Sequence, residues 1–110
     1  MNKVTIFGRF GKITPETVTI NGEKVKKIKF SIADRADKNT TIWHNCVAWR
    51  GTADAIERFC KVGDRINIYG QISNFKNQEG KEIQYITCTE IGLVETKEGK
   101  DPQPQEGAPF

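Results

Sequence analysis

The stretch TTIWHNCVAWRGTADAIERFCKVGDRINIYG, residues 40–70, sets a strand, a helix and a second strand in succession. Residues 40–50 alternate in strand fashion, with Ile42, Cys46 and Ala48 on the face suited to an interior. The next window, residues 52–61, reads as helix. Thr52 is placed to cap it, Asp54 suits its first turn, and Gly63 lies just past its end. Ile56, Phe59 and Cys60 give it an apolar stripe at i, i+3 and i+4. After Gly63-Asp64 a strand resumes over residues 65–75.

The same logic extends in both directions. Upstream, residues 2–8 alternate around Val4 and Ile6, and residues 17–20 form a short run closed by the turn signal Asn21-Gly22. Residues 25–34 keep a period of two, with Ile28, Phe30 and Ile32 on one face and Lys27, Lys29 and Ser31 on the other. Downstream, the turn Asn77-Gln78-Glu79-Gly80 leads to a last strand over residues 83–94. The order is three strands, a helix and two further strands. That is the pattern of an all-β, five-stranded OB-fold barrel with one short helix between strands 3 and 4. The expected division is a barrel over residues 1–94 and a flexible tail over residues 95–110. Residues 97–110 lack apolar periodicity and hold three of the four prolines, so they are expected to be disordered.

Composition narrows the function classes. A chain of 110 residues supports one domain and leaves little room for a large enclosed active site. No run approaches the ~20 apolar residues of a membrane span, and the first residues carry no signal-peptide pattern. Cys46, Cys60 and Cys88 are odd in number and widely spaced, which favours a reducing cytoplasmic setting over a disulfide-stapled secreted one. Residues 1–90 hold 15 Lys/Arg against 10 Asp/Glu, while residues 91–110 hold two lysines against four acids. A basic body with a mildly acidic tail suggests a polyanionic partner and a second, different contact.

Both tryptophans, Trp43 and Trp49, lie six residues apart on one strand and so share a face. Flat aromatic side chains hold unpaired bases without sequence preference, at about 1–3 kcal/mol per base. Lys27, Lys29, Arg50 and Lys76 are placed to border that face and neutralise phosphates. Lys26 is instead assigned to a solvated strand face. His44 and Cys46 also share a face, but no orienting third group accompanies them, so a nucleophilic pair is disfavoured. Metal-ligand spacing of the C-x₂-C kind is missing from the sequence, and no cofactor motif is expected.

Taken together, these residues resemble the bacterial-type single-stranded-DNA-binding proteins. The resemblance covers residues 2–94 and rests on Asn2-Lys3-Val4, Gly8-Arg9, Gly11-Lys12, Phe30-Ser31-Ile32-Ala33, Trp43-His44, Val47 and Trp49. Lys61-Val62-Gly63-Asp64-Arg65-Ile66 and Gly70-Gln71-Ile72 complete it. It implies a homo-oligomer, usually a tetramer, that wraps single-stranded DNA in replication, repair and recombination. It further implies base stacking on Trp43, Trp49 and Phe75, and a subunit contact near His44. The family ends in an acidic run before Ile/Leu-Pro-Phe that recruits replication and repair proteins. Here Pro109-Phe110 remain, but Glu106 is the only nearby acid, so electrostatic steering through the tail is weakened. The loop Arg35-Ala36-Asp37-Lys38 lacks the bulky residue the family often places there. Two rival readings are a dimeric primosome-type accessory protein acting through protein contacts, and a small enzyme using Cys46 and His44.

Overall fold

In a computed structural model of the chain, residues 1–95 are described, with side chains through Gly92. The elements are β1 (Val4–Ile20), β2 (Glu23–Asp37), β3 (Thr40–Trp49), α1 (Arg50–Phe59), β4 (Arg65–Lys76) and β5 (Glu82–Glu95). They close into a barrel in the order β1-β2-β3-β5-β4, with β4 returning to pair with β1. All pairings are antiparallel except β3 with β5, which meet only at Cys46↔Ile86, Val47↔Thr87 and Ala48↔Cys88. The five-stranded barrel and the position of its helix agree with the sequence pattern. Among the described residues, no helix is long and apolar enough to cross a membrane.

The two short runs read at residues 2–8 and 17–20 are one continuous strand. β1 pairs with β4 from Val4 to Arg9 and then with β2 from Arg9 to Ile20, so it serves two neighbours in turn. A register shift between Phe10 and Lys12 marks the changeover and resets the alternation, which is why periodicity did not carry through. Pro15 falls where β1 pairs with β2 alone, so its missing N–H leaves no second ladder incomplete. Asn21 and Gly22 both have positive φ, 51° and 82°, and form the tight hairpin turn expected of them.

The helix differs from the sequence expectation in three respects. It begins at Arg50, which takes φ 51° at the corner after Trp49, and no side chain caps it. Thr52 is therefore not a cap; its hydroxyl donates to the Thr89 carbonyl and ties α1 to β5. The buried stripe is Ala53 and Ile56 followed by Cys60, whereas Phe59 is 61% exposed beside the Arg58 guanidinium. Phe59 sits next to the stripe, where 100° per residue turns it outward. Lys26 is not merely solvated: it forms ion pairs with Glu57 and with Asp54, which link β2 to the helix and raise its pKa, the Glu57 hydrogen bond first. After the helix, the buried Asp64 carboxylate accepts from the Lys61 N–H at 2.8 Å, while Gly63 N and Asp64 O bond to the Phe10 backbone.

The core centres on Phe10, Phe30, Ile28, Ile32, Ile56, Ile66 and Ile68, with the Phe10 and Phe30 rings tilted at 5.2 Å. Ile42 does not join it and is 44% exposed. The reason is topological: β3 contacts β5 no further than Cys46, so Ile42 lies beyond the closed wall, where only β2 pairs with it.

Cys46, Cys60 and Cys88 are free and buried. Burial, the largest cause in each, pushes their thiols to about 12, about 11 and about 11. Their folded pKa values exceed those of the open chain, so the folded state holds its thiol protons while the unfolded chain releases them. Stability is thus retained below pH ~8.5 and lost as pH rises toward 11–12. Denaturant midpoints are expected to fall between pH 8.5 and 10.5, and Ellman's reagent at pH 8 to react only after denaturation. Rapid stoichiometric labelling of the native protein would contradict the burial.

Candidate nucleic-acid interface

Strand pairing fixes the floor of one concave face. Its rows run across β1, β2 and β3: Glu16–Lys27–Trp49, Thr14–Lys29–Val47, Lys12–Ser31–Asn45 and Arg9–Ala33–Trp43. Paired residues point the same way, so the odd-numbered residues of β2 and β3 form one surface while Ile28, Phe30 and Ile32 fill the barrel. The two tryptophans are six residue steps apart on β3, about 20 Å of extended strand.

A cleft of about 690 Å³ lies along this floor and under the β4–β5 hairpin. Trp49, Lys27, Lys29 and Phe75 all line it. The hairpin continues past the β3 contact through Phe75↔Ile83 and Ser73↔Tyr85, which leaves its aromatic face over the cleft. Phe75 is 51% exposed and meets the edge of Tyr85 at 5.7 Å. Trp43 extends the surface beyond the cleft lining. Its ring lies over Gly11, where an added Cβ would come within 2.3 Å of Cζ3, and it is 57% exposed. Trp49 is more enclosed: the Lys27 Nζ stands 5.1 Å from its ring centroid.

Arg50 and Lys76 are not brought to the cleft. Arg50 turns with the start of α1, and Lys76 pairs with Glu82 on the hairpin face opposite Phe75. His44 is half-buried on the other face of β3, with Nε2 3.2 Å from the Asp34 carboxylate. The Cys46 thiol donates to the His44 backbone carbonyl at 3.6 Å. Lys12 and Tyr85 line the cleft but escaped the sequence reading. Tyr85 was detectable, because it shares its alternation phase with Ile83 opposite Phe75; Lys12 was hidden by the register shift at Gly11. The expected tail contacts Glu106, Pro109 and Phe110 lie outside the described residues.

A closed five-stranded barrel of this kind has counterparts among known proteins. Residues 1–96 match the sequence profile of the Single-strand binding protein family. The chain belongs to that family. It is a non-enzymatic DNA-binding family. The Single-stranded DNA-binding protein of Malacoplasma penetrans is 35% identical over 88 residues, 78% of this chain and 47% of that protein. The chain thus spans about half the length of that relative. Single-stranded DNA-binding protein B of Bacillus subtilis is 30% identical over 114 residues, 97% of this chain and 96% of that protein. Among solved structures, a Plasmodium falciparum SSB in complex with ssDNA superposes with a TM-score of 0.69 at 25% identity, covering 86% of this chain and 96% of that one. The SSB domain of a Synechococcus protein shares the fold at a TM-score of 0.64 and 14% identity, covering 83% of this chain and 93% of that one.

Proposed function

We propose that the protein coats single-stranded DNA without sequence preference during replication, repair and recombination, and that it does so without catalysis. The observation that carries this reading is the cleft itself, where Trp49, Phe75, Lys27 and Lys29 converge and Trp43 extends the floor. Bases stack on the rings, and the lysines neutralise the backbone. Arg50 and Lys76 border the path of a longer strand at either end, outside the cleft.

Residues 1–94 form the binding domain, and residues 95–110 the tail through which Glu106, Pro109 and Phe110 engage replication or repair proteins. One barrel holds a short length of strand, so a homotetramer in the cytoplasm, with His44 near the subunit contact, multiplies the contacts through effective concentration. Half-exposed Phe7 and Tyr69 on the barrel exterior support association between copies.

The test is titration with oligo-dT while following tryptophan emission. Saturable quenching is expected, with affinity falling as salt rises by a log–log slope near −0.7 per neutralised phosphate. Saturable binding with unchanged emission would remove the stacking mechanism. Light scattering of the same mixtures separates a DNA-wrapping tetramer from a dimer acting through protein contacts.

A further inference from the structure

The cleft is basic and aromatic, and among the described residues no Asp or Glu lines it. One carboxylate nevertheless reaches its cations. Glu16 faces Lys27 across the β1–β2 ladder, and its Oε2 lies 3.4 Å from the Lys29 Nζ. Lys27 is itself drawn over the Trp49 ring. Both lysines best placed for the backbone are therefore already engaged within the protein. The Lys29 side chain is 55% exposed and that of Glu16 31% exposed, so the pair contributes little to folding. Its consequence falls on binding: a phosphate oxygen reaching Lys29 meets a carboxylate occupying the same ammonium.

We propose that Glu16 is a built-in competitor for the DNA backbone, holding Lys29 in the free protein and weakening the grip of the cleft on single-stranded DNA. This rests on the reading of the cleft as a single-stranded-DNA site. A competitor of this kind keeps the coat displaceable, because each strand that leaves is replaced at Lys29 by an internal anion. It also shifts the balance of binding from charge to stacking, since one cation in the central row is partly neutralised before DNA arrives.

The variant that isolates the effect is Glu16→Gln, which preserves shape and removes charge. Full-length wild-type and variant protein are titrated with a fluorescent dT oligomer between 50 and 300 mM salt, with thermal melts alongside. Glu16→Gln is expected to bind about two- to fivefold tighter at low salt, with a slope steeper by up to ~0.7 and an unchanged melt. Lys29→Ala should then cost more affinity in the Glu16→Gln background than in wild type, the signature of coupling between the two side chains. Equal affinity and slope in wild type and Glu16→Gln would overturn the competitor role while leaving the DNA site intact. Weaker binding by Glu16→Gln would overturn it as well, making Glu16 a positioning residue for Lys29. No binding by either protein would remove the DNA site, and this inference with it.

Discussion

Replacing Gly70 with alanine is expected to destabilise the barrel by about 3–5 kcal/mol, a large share of the stability of an ordinary domain. A Cβ at this position would stand 2.0 Å from the Thr87 carbonyl oxygen, 2.9 Å from its carbon and 3.1 Å from the Cys88 Cα. All three are backbone atoms, so no side chain can turn aside. Gly70 pairs with Val4 of β1 and Cys88 of β5 at once, and the β4–β5 register shifts beside it. It therefore sits where the barrel closes, and relieving the clash means parting two strands. The urea midpoint should fall by on the order of 2 M with m unchanged. Gly51→Ala supplies the contrast, because a Cβ there meets nothing within 4 Å and the residue lies in α1. That change should be neutral or stabilising by up to ~1 kcal/mol. Equal midpoints for Gly70→Ala and wild type would mean that the closure is far more pliant than its geometry.

Such closure contacts are invisible in a linear sequence, and that separates what was legible from what was not. The alternation of Ile28, Phe30 and Ile32 and the turn Asn21-Gly22 are local signals, and the structure follows both. The parallel β3–β5 contact is short and non-local. Its end at Cys46 decides that Ile42 is exposed, which alternation within β3 had no means to express. The continuity of β1 likewise depends on a change of partner at Arg9. At the candidate site, period two put Trp43 with Trp49 and Lys27 with Lys29, and the β2–β3 pairing joins the two pairs on one surface. It could not place Arg50, whose direction is set by a left-handed residue at the corner, nor find Glu16, whose role exists only through its neighbours across the ladder.

The two tryptophans should separate cleanly when mutated one at a time. Trp43→Ala is expected to lower oligo-dT affinity about 5- to 150-fold, the equivalent of ~1–3 kcal/mol for one stacked base, while the melting temperature stays within a few degrees. Its ring is 57% exposed and rests on a glycine, so deleting it opens no cavity. Trp49→Ala should lower both affinity and stability, because that ring is half-buried, adjoins the first turn of α1 and lies under Lys27. With only two tryptophans in the chain, each variant leaves one emitter, and quenching on titration then reports which surviving ring meets a base. Loss of stability without loss of affinity in both variants would make the tryptophans structural and leave the DNA contacts to Phe75 and the lysines. Gly11→Ala tests the same point from beneath. Its Cβ would press on the outer edge of the Trp43 ring and on the Ser31 hydroxyl, both able to move, so the fold should survive while the ring tips off its floor. A stacking platform must present a fixed plane, and losing that plane should cost affinity even with every aromatic and every cation still present.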